Sequence, residues 1–284
     1  MMAAPLTPSN GAAGRADAGD DRPRLDLSGP VLHAALSSML TACEPAGGVE
    51  RYVAALQLKS DIFRDAFKDG GDTLSAERFF QISGLMPTVR RRVGAYCDEE
   101  GFETLRKRMT VLFTDIDRDE KITMFCDSFP QDKRHRWVRD LAAEILHNAD
   151  PERYPLMCRW VWDRKANTGV LREIWYGNID HVTLDISDDY ETFLVLREEL
   201  SQYLTQNGVF RDIMWYVDLV CAQVYAEYIS AQGGSYLRTD FSSAEDPALY
   251  LRRLLGLDGV RAKPGVGGGD DNSEPLVLLT GASS

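Results

Sequence analysis

Residue types that build common chemical sites are scarce in this sequence. Its 284 residues include only five cysteines and four histidines, and no two cysteines have the CxxC spacing. There is also no GxSxG motif for a nucleophilic serine and no glycine-rich loop after a strand for a nucleotide phosphate. These absences exclude the usual sequence motifs of zinc sites, serine hydrolases and kinases, and they favour buried free thiols over a disulfide framework.

Long apolar runs are also missing. No segment approaches the roughly 20 consecutive apolar residues of a membrane helix, and the N-terminal residues lack the basic-then-apolar order of a secretory signal. The formal net charge of −12 opposes general attraction to nucleic acid or to an anionic membrane. We therefore expect a cytoplasmic protein that contacts no membrane and has no general affinity for nucleic acid.

Large apolar side chains are nearly absent from both ends of the chain, apart from those of residues 276–279. Residues 1–28 and 262–284 consist mainly of small and polar residues, which bury too little surface to offset the entropy of ordering the chain. We predict a disordered tail at each end. Residues 29–261 have patterned hydrophobicity and are numerous enough to bury their own core, so we expect one helical domain.

The apolar residues of this domain recur at helical spacing. Runs with apolar side chains three and four positions apart begin at Val31, Val49, Trp137 and Tyr190. A further run, 210–231, is apolar on most of its circumference, which is typical of a helix at the centre of a bundle. The predicted fold is therefore mainly α-helical, with a single multi-helix, bundle-like domain.

Two shorter segments have less regular patterns. Asp150 followed by Pro151 has the pattern of a helix N-cap and first position, and we predict a helix from there to Trp162. Residues 182–187 alternate apolar and polar side chains with the period of a strand. The residues before them are either its hairpin partner or a last turn of helix, so one short β-hairpin at 170–187 is left open.

Basic and aromatic residues concentrate in one stretch, 132–177. It contains four of the five tryptophans and two of the four histidines. Residues 90–172 carry 17 Lys and Arg against 15 Asp and Glu, whereas residues 173–261 carry 6 against 15. Such a split is typical either of solvated faces or of a local positive surface. We predict a binding surface that consists of six side chains, Arg134, Arg136, Arg139, Trp160, Arg164 and Arg172.

Two motifs contain part of a metal site. Glu144 and His147 form an ExxH pair on one helix face, which is half of the pattern that holds two metal ions in four-helix bundles, and no second ExxH occurs. Residues 115–126 match the first acidic positions of a calcium loop but have Glu120 in place of the glycine and Cys126 in place of the closing glutamate. We therefore predict no metal site, with Glu144 and His147 as the remaining candidate ligands, and an Asp-capped helix start instead of a calcium loop.

Three functions remain compatible with these patterns. The first hypothesis is a non-catalytic accessory or adaptor protein that binds another protein through the surface around 132–177. The second is an enzyme, or a protein that binds a small ligand or metal, with a pocket between the 210–231 helix and the predicted helices of 132–163. The third is a nucleic-acid-binding helical protein that uses the basic and aromatic residues as a stacking surface. The sequence identifies no cofactor and no oligomeric state.

The second hypothesis names its own residues. Its candidate catalytic residues are Glu144, His147, Asp218 and Glu227. Asp218 lies on the mostly apolar run, and a carboxylate buried there requires a partner such as an Arg or His from 132–177. The alternative is that Asp218 and Glu227 lie on a narrow solvated stripe of this helix.

Overall fold

The computed structural model describes residues 22–177, 179, 181–232, 248–259 and 279. In these residues the fold is mainly α-helical, as the periodicity predicts. None of the helices that they form is both long enough and apolar enough to span a membrane. The helices are α1 (Gly29–Cys43), α2 (Val49–Ala66), α3 (Ala76–Ser83), α4 (Val93–Glu100), α5 (Phe102–Met109), α6 (Arg118–Asp127), α7 (Trp137–Ala149), α8 (Val170–Glu173), α9 (Tyr190–Gln206), α10 (Ile213–Gln232) and α11 (Leu249–Leu254).

Helix α10 lies at the centre of the fold. It packs against α1, α2, α8, α9 and α11, and α2 in turn packs against α7. Its side chains at Trp215, Leu219 and Val224 are all buried, so the central position predicted for 210–231 agrees with the structure. The helix begins later than predicted, because Asp212 has a φ of 55°, which lies outside the right-handed helical region.

Side-chain caps define several helix starts. Asp117 accepts hydrogen bonds from the backbone N–H groups of Asp119 and Glu120 at 2.9 and 3.2 Å, at the start of α6. A capping carboxylate satisfies N–H groups that have no partner inside the helix. Asp119 itself accepts the N–H of Tyr190 at 2.8 Å, which ties α6 to the start of α9. The incomplete calcium-loop pattern is therefore an Asp-capped helix start, as expected.

The helix predicted from Asp150 to Trp162 is absent, and the segment is a turn followed by irregular chain. Pro155 has no N–H to donate, and it disfavours the helical conformation of the residue before it. Backbone groups of the segment find partners elsewhere: Arg197 of α9, for example, donates to the carbonyl oxygen of Pro151 at 2.8 Å. The prediction was wrong because the Asp–Pro pair starts only a single turn.

The described residues of 170–187 do not form the β-hairpin that the sequence allowed. The first part is the helical turn α8, and the second part is irregular chain without a partner strand. Arg172 donates to the carbonyl oxygen of Val182 at 2.7 Å, and the side chain of Asn167 accepts the N–H of Leu184 at 3.1 Å. Side chains therefore bind the backbone groups that a second strand would bind.

The predicted N-terminal tail, 1–28, extends too far, because the chain from Arg22 onward contacts the helices. Arg22 forms ion pairs with two glutamates of α9, and the N–H of Ser28 donates to the carbonyl oxygen of Ile174 at 2.7 Å. Two leucines of this segment also pack against the core. The rest of both predicted tails lies outside the described residues, except for Leu279, which is buried.

A close backbone contact and an ion pair hold the chain that follows α11. Arg90 binds the carboxylate of Asp258 through two nitrogens, at 2.7 and 3.0 Å, and both side chains are buried. Between α11 and Asp258, Gly256 has a φ of 70°, and a Cβ atom at this position would lie 1.9 Å from the carbonyl oxygen of Leu85. Only glycine fits this contact without displacing one backbone from the other.

We predict that Gly256→Ala destabilises the protein strongly. Positive φ alone costs a residue with a Cβ about 1–2 kcal/mol, and the clash with Leu85 adds about 1–3 kcal/mol. Gly208→Ala is the matched control, because Gly208 has a φ of 91° but a Cβ atom added to it would meet nothing within 4 Å. Urea unfolding of both variants measures the difference, and equal losses of unfolding free energy would contradict the close contact.

Candidate functional site

Three of the four candidate catalytic residues meet in the interior. Glu144 and His147 lie one turn apart on α7, and Asp218 faces them from α10; all three are buried. Glu227 is exposed and accepts a hydrogen bond from Gln223 at 2.8 Å. We call the buried group the polar layer; it consists of Lys59, Ser60, Glu144, His147, Asn148 and Asp218.

The first pair of the polar layer joins α2 to α7. Nζ of Lys59 lies 2.9 Å from a carboxylate oxygen of Glu144, and each side chain is only 3% exposed. The same ammonium group donates to the carbonyl oxygen of Leu255 at 2.9 Å, just beyond α11. Asn148 donates to Glu144 at 3.0 Å. Both charges are therefore paired and hydrogen-bonded, which burial at this depth requires.

The second pair joins α7 to α10. Nε2 of His147 lies 3.0 Å from a carboxylate oxygen of Asp218, and Nδ1 lies 2.9 Å from the carbonyl oxygen of Tyr154. Both ring nitrogens donate to these acceptors when the ring is a cation. Burial lowers the pKa of His147, but the charge of Asp218 and the two hydrogen bonds outweigh it and raise the pKa above the usual value.

The cavity next to Asp218 is too small for a substrate. It lies between α9, α10 and the chain after Pro155, where the second hypothesis expects a pocket, and its volume is about 20 Å³. A single water molecule needs about 10–15 Å³ by this measure. No group of three or more His, Cys, Asp or Glu side chains suited to a metal ion occurs in the part of the chain that is described. At Asp218 the polar layer therefore borders space for about one water molecule, and Ser60 also lines a separate surface opening of about 650 Å³ beside Ala149 and Met214.

A much larger opening lies on the surface, near the start of α7. This groove has a volume of about 800 Å³, and we call it the basic groove. Its described lining includes five Lys and Arg side chains and one His, against three Asp side chains. The charged lining residues are Lys133, His135, Arg136, Arg139, Arg159, Lys165, Asp132, Asp163 and Asp188.

Carboxylates hold the three arginines of the basic groove. Arg139 donates to the side chain and to the backbone carbonyl of Asp188. Arg159 donates to the buried carboxylate of Asp140 at 2.7 Å, and this ion pair and hydrogen bond raise the pKa of Arg159 against the opposing effect of its burial. These arginines therefore have fixed positions, and part of their charge is compensated.

Within the described part of the chain, one hydrogen-bonded ion pair holds Arg136. Its Nη2 donates to Asp163 at 3.1 Å, and the Arg136 side chain is 51% exposed whereas that of Asp163 is 8% exposed. Asp163 also accepts the N–H of Ala166 at 2.9 Å and pairs with Thr168 in an isolated bridge. A guanidinium has several other N–H donors, so Arg136 retains donors that face solvent.

Two lysines supply the free charge of the basic groove. Lys133 lies just before α7, and Lys165 lies in the turn between Asp163 and Thr168; both are exposed. Neither ammonium group has an ion-pair or hydrogen-bond partner in the described ranges. His135 differs, because its ring contacts Asp132 at 2.8 Å, and this hydrogen bond lowers the pKa of Asp132.

The predicted binding surface is only partly assembled. Arg136 and Arg139 lie in the basic groove, whereas Arg134 pairs with Glu99 and Arg164 with Asp185 outside its described lining. Arg172 binds backbone carbonyl groups of the chain after α8. Trp160 is not on a surface, because it is 6% exposed and its ring packs 5.7 Å from the ring of Tyr225.

Sequence reasoning missed the residues that distinguish this groove, Lys133, Lys165 and Arg159. Each is adjacent in sequence to a residue of the predicted binding surface, and neighbours along a chain face different directions. A free cation differs from a compensated one only in whether an acidic side chain lies beside it in the folded protein. The charge excess of 90–172 and the concentration of basic and aromatic residues in 132–177 were the signals that pointed to this region.

Comparisons with known proteins identify no relative: no family model, no curated protein and no solved structure matches the chain. The function is therefore inferred from the geometry of its own residues.

We predict that His147 makes stability depend on pH. Its pKa is raised above 6.5 in the folded protein, so its stabilising contribution is complete below about pH 6.5 and is lost as the pH rises through the folded-state pKa. The unfolding free energy of the wild type should therefore fall more than that of His147→Gln between about pH 6 and pH 9. Urea unfolding across this range measures both curves, and parallel curves would contradict a protonated His147.

Proposed function

We propose that this protein is a non-catalytic accessory protein that holds an acidic segment of a partner protein in the basic groove. The observation that carries the proposal is the presence of two exposed ammonium groups without a counter-ion in the described ranges, Lys133 and Lys165, in a groove of about 800 Å³. A carboxylate-rich segment is the complement of such a lining. The net charge of −12 on the whole chain makes this local excess of positive charge more distinctive.

The fixed arginines support binding as well. Arg139 and Arg159 are already ordered by Asp188 and Asp140, so a ligand does not have to immobilise them. Side chains that are ordered before binding reduce the entropy lost on association. The groove therefore combines two arginines in fixed positions with two exposed lysines.

An acidic protein segment fits the groove better than a nucleic acid. Binding of single strands relies on exposed aromatic rings on which bases stack, and Trp137, Trp160 and Trp162 are all buried. Three aspartates also line the groove, and they interrupt the continuous positive track that a phosphate backbone needs.

A catalytic role in the polar layer has less support. Lys59 and Glu144 satisfy each other, and both nitrogens of His147 already have partners. A general base must have a free lone pair within reach of a substrate, and the adjoining cavity of about 20 Å³ holds roughly one water molecule.

A cytoplasmic location agrees with the state of the cysteines. All five are free thiols, and Cys43, Cys158 and Cys221 are buried. Thiols persist in this form in reducing compartments. We therefore propose that the partner is met in the cytoplasm.

We predict that replacing Lys133, Arg136 and Lys165 with Glu removes binding of an acidic peptide. The probe is a short fluorescein-labelled peptide of alternating glutamate and glycine, and fluorescence anisotropy measures its affinity. We expect a loss of at least about tenfold, because the free charges of the groove are reversed. Arg139 is left intact, because its contacts with Asp188 hold the chain at the start of α9.

The matched control reverses the same number of charges elsewhere. Arg64, Lys68 and Lys107 are exposed and lie outside the described lining of the basic groove, so their replacement with Glu changes the net charge equally. Retained peptide binding in this control, with thermal unfolding showing that both triple variants are folded at the temperature of the binding assay, assigns the binding to the groove. Equal losses in both variants, or tighter binding of a single-stranded oligonucleotide than of the peptide, would contradict the proposed function.

A further inference from the structure

Three cations of the basic groove are linked to one another by an ion pair and by short stretches of chain. Arg136 contacts Asp163 at 3.1 Å, and Asp163 closes the turn that carries Lys165 through its bridge to Thr168. Lys133 lies in the single helical turn that leads directly into Arg136. Lys133, Arg136 and Lys165, which we take together as one end of the groove, all line it and keep N–H donors that no described residue binds, whereas Arg139 and Arg159 are each held by two hydrogen bonds to an aspartate.

We propose that this end of the groove is a subsite for a phosphorylated side chain of the partner segment, bound by Arg136, Lys133 and Lys165. The inference rests on the proposed function, since it names a modification of the same acidic segment. A phosphorylated serine or threonine has a charge of about −1.5 to −2 at neutral pH and three acceptor oxygens, whereas a carboxylate has a single charge. The local excess of cations is thus matched better by a phosphoryl group than by one glutamate.

The geometry of Arg136 supports this choice. A guanidinium binds phosphate through parallel N–H donors, and among the described residues Arg136 has a partner only at Nη2. Asp163 is 8% exposed and is also bound by the N–H of Ala166, so it holds one nitrogen of the guanidinium, while the Arg136 side chain is 51% exposed and lines the groove. The two lysines act as point charges that need no fixed direction.

The test uses two peptides that differ only at one serine. Both consist of alternating glutamate and glycine around a central serine, which is phosphorylated in one of them. Anisotropy titrations of the full-length wild type should give an affinity at least about tenfold higher for the phosphorylated peptide. In Arg136→Lys the phosphorylated peptide should bind less than about threefold more tightly than the unphosphorylated peptide binds to the same variant, because lysine retains the charge but not the parallel donors.

A pH series provides a second readout. The second pKa of a phosphate monoester is about 6. The ratio of the affinities for the phosphorylated and the unphosphorylated peptide should therefore fall when the pH is lowered through this value. The unphosphorylated peptide, titrated over the same range, corrects for changes in the charge of the protein itself. An affinity ratio that does not change with pH would overturn the role proposed for the doubly charged phosphoryl group.

The outcomes separate this inference from the proposed function. If neither peptide binds, the proposed function fails and the subsite with it. If both bind equally, the subsite alone is refuted. A gain that survives in Arg136→Lys refutes the assigned residues, and inorganic phosphate that competes at the concentration of the peptide refutes a protein segment as the source of the phosphoryl group.

Discussion

The buried ion pair of Lys59 and Glu144 is the contact on which the arrangement of the helices depends. It joins α2 to α7, and the same ammonium group binds the carbonyl oxygen of Leu255 beyond α11. Loss of one partner leaves an uncompensated charge in the core, which costs about 3–5 kcal/mol, so these three elements keep one relative position. Helix α7 then presents its first turn to the basic groove and its last turn, with His147, to α10.

Ion pairs between basic and acidic side chains occur in both the polar layer and the basic groove, but the two sets differ in how far the side chains are exposed to solvent. In the polar layer both partners are buried and all their charges are matched, so the contact is structural. In the basic groove the carboxylate of Asp163 is buried while half of the Arg136 side chain is exposed. A cation fixed on a buried counter-ion keeps its position and still offers donors to a ligand, which is the property that the proposed function requires.

The sequence predicts the helices well and the connections poorly. Apolar spacing identifies α10 as central because burial on all sides requires apolar residues on all sides. Asp150 and Pro151 suggest a helix that Pro155 prevents, and residues 182–187 have a strand period although side chains bind their backbone. Apolar periodicity predicts which faces of an element are buried, but it does not predict which groups form hydrogen bonds with its backbone N–H and C=O groups.

The candidate site was likewise predictable only in part. Glu144, His147 and Asp218 were recognisable because polar residues within apolar helical runs are drawn inward together. Trp160 was misplaced, because an aromatic residue beside arginines has the same local pattern in a core and on a surface. Lys133 and Lys165 were not distinguishable from their basic neighbours, since free and compensated cations differ only in long-range contacts.

We propose that the polar layer maintains the fold while the basic groove binds an acidic segment, and one comparison of stability and affinity tests this division most directly. Lys59→Met should lower the free energy of unfolding by about 3–5 kcal/mol and leave the affinity of the folded protein for the glutamate peptide unchanged. Lys165→Gln should weaken that affinity and change stability by less than about 0.5 kcal/mol. The account is contradicted if Lys59→Met abolishes binding at undiminished stability, or if Lys165→Gln unfolds the protein and leaves its affinity intact.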